Sequence, residues 1–323
     1  MCTAVSFIQG NHYFGRNLDL EFSYEESVAV LPRNFPLHFR QTGCLNNHYA
    51  MIGMATIDNG YPLYYDATNE HGLSMAGLNF PEYAFYPNLS DCAVNIAPFE
   101  LIPWILGQCK TMEDAVALLK NAKISAIHYS EKFPLTPLHW IISDRHRSVT
   151  LEPMQDGLHI LENPVGVLTN SPPFDFHLQN LRQYLNLTNT EPKDSFTKEN
   201  ILSPFSRGIG AFGLPGDNSS ASRFVRASFT KLNSLCQDTE YSCVNQFFHI
   251  LQSVSQKRGT VQIEDKYEIT VYSSCCNTDA GIYYYTTYEN SQITAVYLHH
   301  EDIDSSRLIE YPLILDAKIN NQN

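Results

Sequence analysis

Cys2 stands directly behind Met1. Once Met1 is removed, one residue carries both a free α-amino group and a thiol. An unperturbed α-amine titrates near ~7.7–8.0 and a cysteine thiol near ~8.5. Near neutrality the amine can therefore serve as base for its own side chain, and the thiol as nucleophile. A small second residue also suits removal of the methionine. Taken alone, Cys2 is also compatible with no role at all. A lipoprotein cysteine needs a charged and apolar leader before it, and myristoylation needs Gly at position 2. Neither pattern is present.

The elements around Cys2 sharpen this. Residues 3–8 alternate and read as a strand, Gly10-Asn11 reads as a turn, and residues 12–18 read as the returning strand. A turn centred on Gly10-Asn11 sets Asp19 opposite Cys2, where a carboxylate would hold an amine. Arg16 lies three residues before Asp19. On a regular strand residues three apart point to opposite faces, so for both to reach Cys2 a bulge or strand end must lie between them. Otherwise they form an ordinary surface pair.

With those residues in view, the chain resembles the choloylglycine hydrolase family, which holds bile salt hydrolases and penicillin V acylases. The resemblance rests on Met1-Cys2-Thr3-Ala4-Val5 and Tyr13-Phe14-Gly15-Arg16-Asn17-Leu18-Asp19. It continues through residues 72–80, residues 167–172 and Gly213-Leu214-Pro215-Gly216-Asp217 with Ser222-Arg223-Phe224. It ends in Tyr272-Ser273-Ser274-Cys275-Cys276 and residues 281–285. The blocks occur in order from residue 1 to about 315, and the pattern is most like the bile salt hydrolases of Gram-positive gut bacteria.

Composition sets the outer bounds. With 323 residues, 43% of them hydrophobic, the chain can bury a sizeable core. No apolar run approaches the length of a transmembrane helix. A formal charge of −13, spread along the chain, argues against nucleic-acid binding, which needs basic clusters. The cysteines, Cys2, Cys44, Cys92, Cys109, Cys236, Cys243, Cys275 and Cys276, show no zinc-type spacing. Without a leader, free thiols and a cytoplasmic location are the expectation. Adjacent Cys275 and Cys276 should point to opposite sheet faces.

Residues 2–80 read as strands, with turns at 58–60 and 70–72. Residues 95–122 read as two helices, the second opened by Thr111 with Asp114 as a capping box. Strands return over 138–170. Ser171-Pro172 reads as a cap and first helical position for a helix to about Leu185. Residues 186–218 form a long irregular segment. Helices follow over 219–235 and 241–254, and strands over 267–298. No composition break divides the chain, so one domain over 1–323 is expected. The order suits an α+β chain with sheets stacked and helices outside, but the pattern alone gives only mixed α and β, mostly antiparallel.

The resemblance implies more. The fold would be the four-layer αββα sandwich of N-terminal-nucleophile hydrolases. Cys2 would be the nucleophile, with Arg16 beside the thiol and Asp19 beside the amine. The Asn170 side chain and the Asn79 backbone would hold the oxyanion, and Arg223 would complete the set. Arg223 falls near a helix start, an unfavourable place for a cation, whereas Arg226 reads as a surface residue. Asn79 favours conjugated bile salts over penicillin V, and a steroid needs a broad apolar groove. Leu18, Tyr24, Tyr65, Phe133 and Leu138 are the wall candidates. The segment 186–218 resembles a tetramer-forming loop. No metal or organic cofactor is implied. The alternatives are a penicillin V acylase with the same machinery, or a silent binding protein that keeps Met1.

Overall fold

A computed structural model describes residues 1–90, 94–197 and 199–323. Its first sheet begins with β1 (Cys2–Gln9) and β2 (Asn11–Leu20). A second sheet follows with β3 (Ser27–Leu31), β4 (Met51–Asp58), β5 (Tyr61–Asn69) and β6 (Ser74–Asn79). It continues through β7 (Leu138–Ser143), β8 (Ser148–Met154) and β9 (Gly157–Glu162). The chain then returns to the first sheet with β10 (Val167–Leu168), β11 (Ile269–Asn277), β12 (Ile282–Thr287) and β13 (Thr294–Tyr297). Finally β14 (Ile309–Pro312) closes the edge of the second.

The first sheet has the order β10-β1-β2-β11-β12-β13, and the second β9-β8-β7-β6-β5-β4-β3-β14. Every pairing within both sheets is antiparallel. The sheets face each other through β1, β2 and β6. Helices α1 (Leu101–Leu106) and α2 (Met112–Leu119) join the apolar core outside the second sheet. Helix α3 (Phe174–Leu181) packs on α4 (Ser220–Leu232), and α4 and α5 (Glu240–Gln252) cover the first sheet. This is the αββα order the resemblance implied. No described helix is long and apolar enough to cross a membrane.

Local chemistry accounts for the helix starts. Thr111 accepts the Asp114 amide while Asp114 bonds back to the Thr111 backbone, and Ser219 and Thr239 cap α4 and α5. The helix expected from Pro172 instead begins at Phe174, after Pro173, and its regular part ends at Leu181. The first of the two helices expected over 95–122 is a single 3₁₀ turn and α1, because residues 94–96 pair as a strand with 122–124.

The β1–β2 register differs by one from the sequence expectation. Cys2 pairs with Leu18 and Gln9 with Asn11, so Gly10 alone makes the turn. Its φ of +63° lies in the left-handed region, and a Cβ there would strike the Asp238 carboxylate. Asp19 consequently lies opposite Met1, not Cys2. The expected irregularity between Arg16 and Asp19 falls on the neighbouring strand: β11 carries one extra residue between Thr270, opposite Asp19, and Tyr272, opposite Leu18. The seven described cysteines are free thiols, with Cys275 and Cys276 both buried. Cys92 lies outside the described residues.

Candidate active site

Strand alternation divides the groups around Cys2 between two faces. Cys2, Arg16, Leu18 and Leu20 line a cavity between the sheets. Thr3, Asn17 and Asp19 alternate with them and turn toward the helices: Asn17 donates to the Leu251 carbonyl on α5 at 2.9 Å. Cys2 sits at the end of β1, so its thiol belongs to the cavity while its backbone nitrogen is reached from the helix side.

That nitrogen has a defined partner. The Cys2 amide donates to Asn170 Oδ1 at 2.8 Å, and Arg223 Nη2 donates to the same oxygen at 2.7 Å. Asn170 Nδ2 donates to the Asn79 carbonyl at 2.7 Å. This carbonyl is available because of where Asn79 falls in the sheet. In the β6–β7 pair the Phe80 amide takes the Pro137 carbonyl and the Leu138 amide takes Tyr86 Oη. Asn79 is therefore a non-bonded position of the pair, with its own N–H and carbonyl turned away from β7. Asn170 is set by its backbone, which accepts from His177 Nε2 at 2.9 Å and donates to Ser220 Oγ at 2.8 Å. Burial holds the His177 pKa down to about 4, so at neutral pH the ring is an uncharged donor here.

Arg223 enters from the first turn of α4 and is fully buried. It donates to the Cys2 carbonyl, to Thr3 Oγ1 at 2.7 Å and to the Asn218 carbonyl at 3.0 Å. Burial pushes its pKa down, and the Asp19 charge opposes that. Arg223 thus grips the backbone of Cys2 rather than its thiol. Arg226, expected on the surface, is half-buried and ties the Ser253, Pro215 and Asp217 carbonyls together.

Arg16 crosses from the first sheet to the second. Its Nη1 donates to the carbonyls of Tyr65 (3.1 Å) and Gly77, and its Nε to Asn17 (3.3 Å). The Tyr65 carbonyl is free for this because Tyr65 is the extra residue of a bulge opposite Met54/Ala55. Nη2 is buried with no hydrogen-bond partner among the described residues. Burial opposes the Arg16 charge, but Cys2, Tyr272, Asp66 and Asp19 together raise its pKa. Asp66 crosses the other way, from β5 into the first sheet, and accepts from Tyr272 Oη and Tyr283 Oη, each at 2.7 Å.

Asp19 accepts from Thr270 Oγ1 at 2.6 Å, and its Oδ2 has no partner among the described residues. Burial raises its pKa, with Arg223 and the chain's terminal ammonium pulling the other way. The Met1 ammonium donates to the Asp19 carbonyl at 2.8 Å and forms an ion pair with Glu268.

The cavity lining is polar at Cys2, Arg16 and Asn79; Leu18, Tyr24, Tyr65, Phe133 and Leu138 stand in its apolar wall with Trp140, Phe99, Ile127 and Tyr129. All five wall candidates are there. Ile127 and Tyr129 were missed because they lie in irregular chain, where no periodicity marks a buried face, whereas Phe99 was read as part of a helix's apolar stripe and instead lies in the 3₁₀ turn at the cavity wall. Asp66 did leave a signal, an acid inside the strand Leu63-Tyr64-Tyr65-Asp66-Ala67.

A family model described as linear amide C–N hydrolases, choloylglycine hydrolase family, matches residues 2–311. The chain belongs to the choloylglycine hydrolase family. A relative from Lactiplantibacillus plantarum, named bile salt hydrolase/transferase, is 52% identical over 98% of both chains. Another of the same name, from Clostridium perfringens, is 39% identical over 100% of both. A crystal structure of the conjugated bile acid hydrolase from Clostridium perfringens, in a cysteine-to-alanine variant, superposes with a TM-score of 0.91 at 37% identity and full coverage of both chains. A penicillin V acylase from Agrobacterium tumefaciens, at 18% identity and TM-score 0.75 over 96% of this chain and 90% of its own, shares the choloylglycine hydrolase fold.

Proposed function

We propose that this protein is a bile salt hydrolase that cleaves the amide joining a bile acid to glycine or taurine, with Cys2 as nucleophile after Met1 has been removed. The observation that carries the reading is that Cys2 lies where an apolar cavity meets a fixed hydrogen-bond network: its backbone N–H and Arg223 both donate to Asn170 Oδ1, and Asn170 Nδ2 donates to the Asn79 carbonyl. The walls suit a steroid body, and the scissile amide would lie on Cys2. The 52% identical relative named bile salt hydrolase/transferase supports the same substrate class.

In this mechanism the freed Cys2 amine takes the Sγ proton as the thiolate attacks the amide carbon. The C–S bond forms and the carbonyl electron pair moves to oxygen. Asn170 Nδ2 and the Asn79 N–H serve that oxyanion, which needs donors fixed in advance. Asn170 Nδ2 gives up its bond to the Asn79 carbonyl to do so. As the carbonyl re-forms, the C–N bond breaks and the ammonium passes its proton to the departing amine. Water then attacks the thioester, yields a proton to the Cys2 amine, and the thiolate leaves and is reprotonated. Arg16 stabilises the thiolate from the cavity side. Asp19 and Arg223 orient the amine and the Cys2 backbone from the helix side. An amine in place of water would receive the acyl group, which suits a hydrolase that also transfers.

The same reading has the chain act as one domain in the cytoplasm, as a homotetramer. Residues 186–218 support assembly: Phe196 is 94% exposed and Phe205 87%, and aromatic surface of that kind calls for cover by a second copy. Light scattering checks the mass.

The deciding assay is release of glycine and taurine from conjugated bile salts, with penicillin V in parallel. Amino-acid release with little penicillin cleavage is expected. The reverse result overturns the substrate and leaves the machinery. Inactivity on both, in a chain shown by intact mass to start at Cys2, overturns the enzyme reading.

A further inference from the structure

The N-terminal site holds one carboxylate that the steps above do not use. Glu268 lies just before β11 and is fully buried. Its carboxylate pairs with the Met1 α-ammonium and makes no hydrogen bond to any described residue. A buried carboxylate without a partner is strongly disfavoured, so this one is placed for a cation at the chain terminus. That cation departs with Met1. Three bonds separate successive backbone nitrogens, a distance of no more than about 4 Å. The amine exposed on Cys2 is therefore within reach of Glu268 through a single water molecule.

The charged groups around the Met1 amine, one residue from the Cys2 nitrogen, come from several elements: Asp19 and Glu21 belong to the β2 side, and Arg223 reaches in from α4. The thiol of Cys2 lies on the cavity side with Arg16 behind it, and Lys257 acts at longer range through Asp19. Arg16 is set against Asp66 across the sheets. Of these, Asp19 and Glu268 are the buried carboxylates set against the buried Arg223, so removing Glu268 leaves an ammonium in this site with less compensating negative charge.

We propose that Glu268 is a positioning residue for the Cys2 amine in the mature enzyme: through one water seated where the Met1 amine had been, its carboxylate orients the Cys2 amine and stabilises its protonated form. This rests on Cys2 being an N-terminal nucleophile. Across the cycle the proton moves from Sγ to the amine and on to the leaving nitrogen, and Glu268 neither gains nor loses one. The water it holds is separate from the one consumed in deacylation.

The test uses wild type, Glu268→Gln and Glu268→Asp, each made behind a cleavable tag whose protease leaves Cys2 first, with intact mass verifying the terminus. Two pH profiles are recorded: amino-acid release from glycine-conjugated bile salt, and iodoacetamide alkylation of Cys2, which needs no substrate. For Glu268→Gln we expect kcat to fall about ten-fold with KM within about two-fold. The acid limb of kcat/KM should move down by about one pH unit, because the ammonium has lost a stabilising charge. Glu268→Asp should restore most of that limb. A Glu268→Gln chain whose profiles overlay the wild type, or whose Tm falls while both profiles stay in place, overturns the proposal. If wild type releases no amino acid, the substrate reading fails, while the alkylation profile still decides the role of Glu268.

Discussion

The two ends of the β1–β2 hairpin bury polar groups in opposite ways. At the turn end, His12 Nε2 meets Ser6 Oγ at 2.9 Å and Nδ1 meets Thr278 Oγ1 at 2.9 Å. Ser143 Oγ joins Ser6 and Ser148 at 2.8 Å each. Every one of these buried side chains has a partner. At the open end, Arg16 Nη2, Asp19 Oδ2 and both Glu268 oxygens have no hydrogen bond to any described residue. One pair of strands thus carries a closed network and an unfinished one. A closed network gives order and stability. Unspent donors and acceptors are tolerable only where a substrate, a proton or a water completes them.

Substitutions can break this contrast. The largest effect is expected from Cys2→Ser, which should lower amide hydrolysis at least about 1000-fold while the Tm stays within a few degrees. Amino-acid release and a thermal melt read both, and normal turnover would point to another nucleophile. Asn170→Ala cuts the connection between the Cys2 nitrogen, Arg223 and the Asn79 carbonyl. A loss of about 100-fold in kcat is expected, the scale of one oxyanion donor, with stability changed much less. At the closed end the signs reverse. His12→Phe removes the ring's bonds to Ser6 and Thr278, leaving these hydroxyls only Ser143 and the residue 12 carbonyl as partners, and should cost about 1–3 kcal/mol of stability in urea unfolding. Its kcat/KM should stay within about two-fold.

The smallest effect sharpens the contrast by pH. Burial holds His12 and His177 near pKa 4, well below the ~6.5 of an unfolded histidine. Folded-state values that are depressed give stability that is full above about pH 6.5. It drains as the pH falls toward 4, because the unfolded chain binds the protons first. The urea midpoint should fall over that window. The His12→Phe chain, already weaker, should lose less of its remaining stability on acidification, since one of the two histidines no longer titrates.

Much of this was legible in the residues. Alternation marked the hairpin, Thr111 with Asp114 marked the start of α2, and the blocks around Asn79, Asn170 and Arg223 marked points that the fold brings to one place. The register was not legible to one residue, because Gly10-Asn11 fits a two-residue turn as well as the turn on Gly10 alone that the hairpin adopts. Nor was the division of labour between Arg16 and Arg223, which depends on which sheet face each reaches. Glu268 left no mark at all: an acid beside a run of β-formers looks like an edge residue until the terminus folds against it.

The crossed contacts of Arg16 and Asp66 carry a consequence for how this scaffold can diversify. Each reaches out of its own sheet into the other, one onto backbone carbonyls and the other onto tyrosine hydroxyls. The inter-sheet gap at the cavity is therefore keyed, and widening it would pull apart both contacts at once. Substitutions at Tyr24, Tyr129 and Phe133, which also line the cavity, would reshape it for bulkier or slimmer acyl groups while leaving both crossed contacts in place.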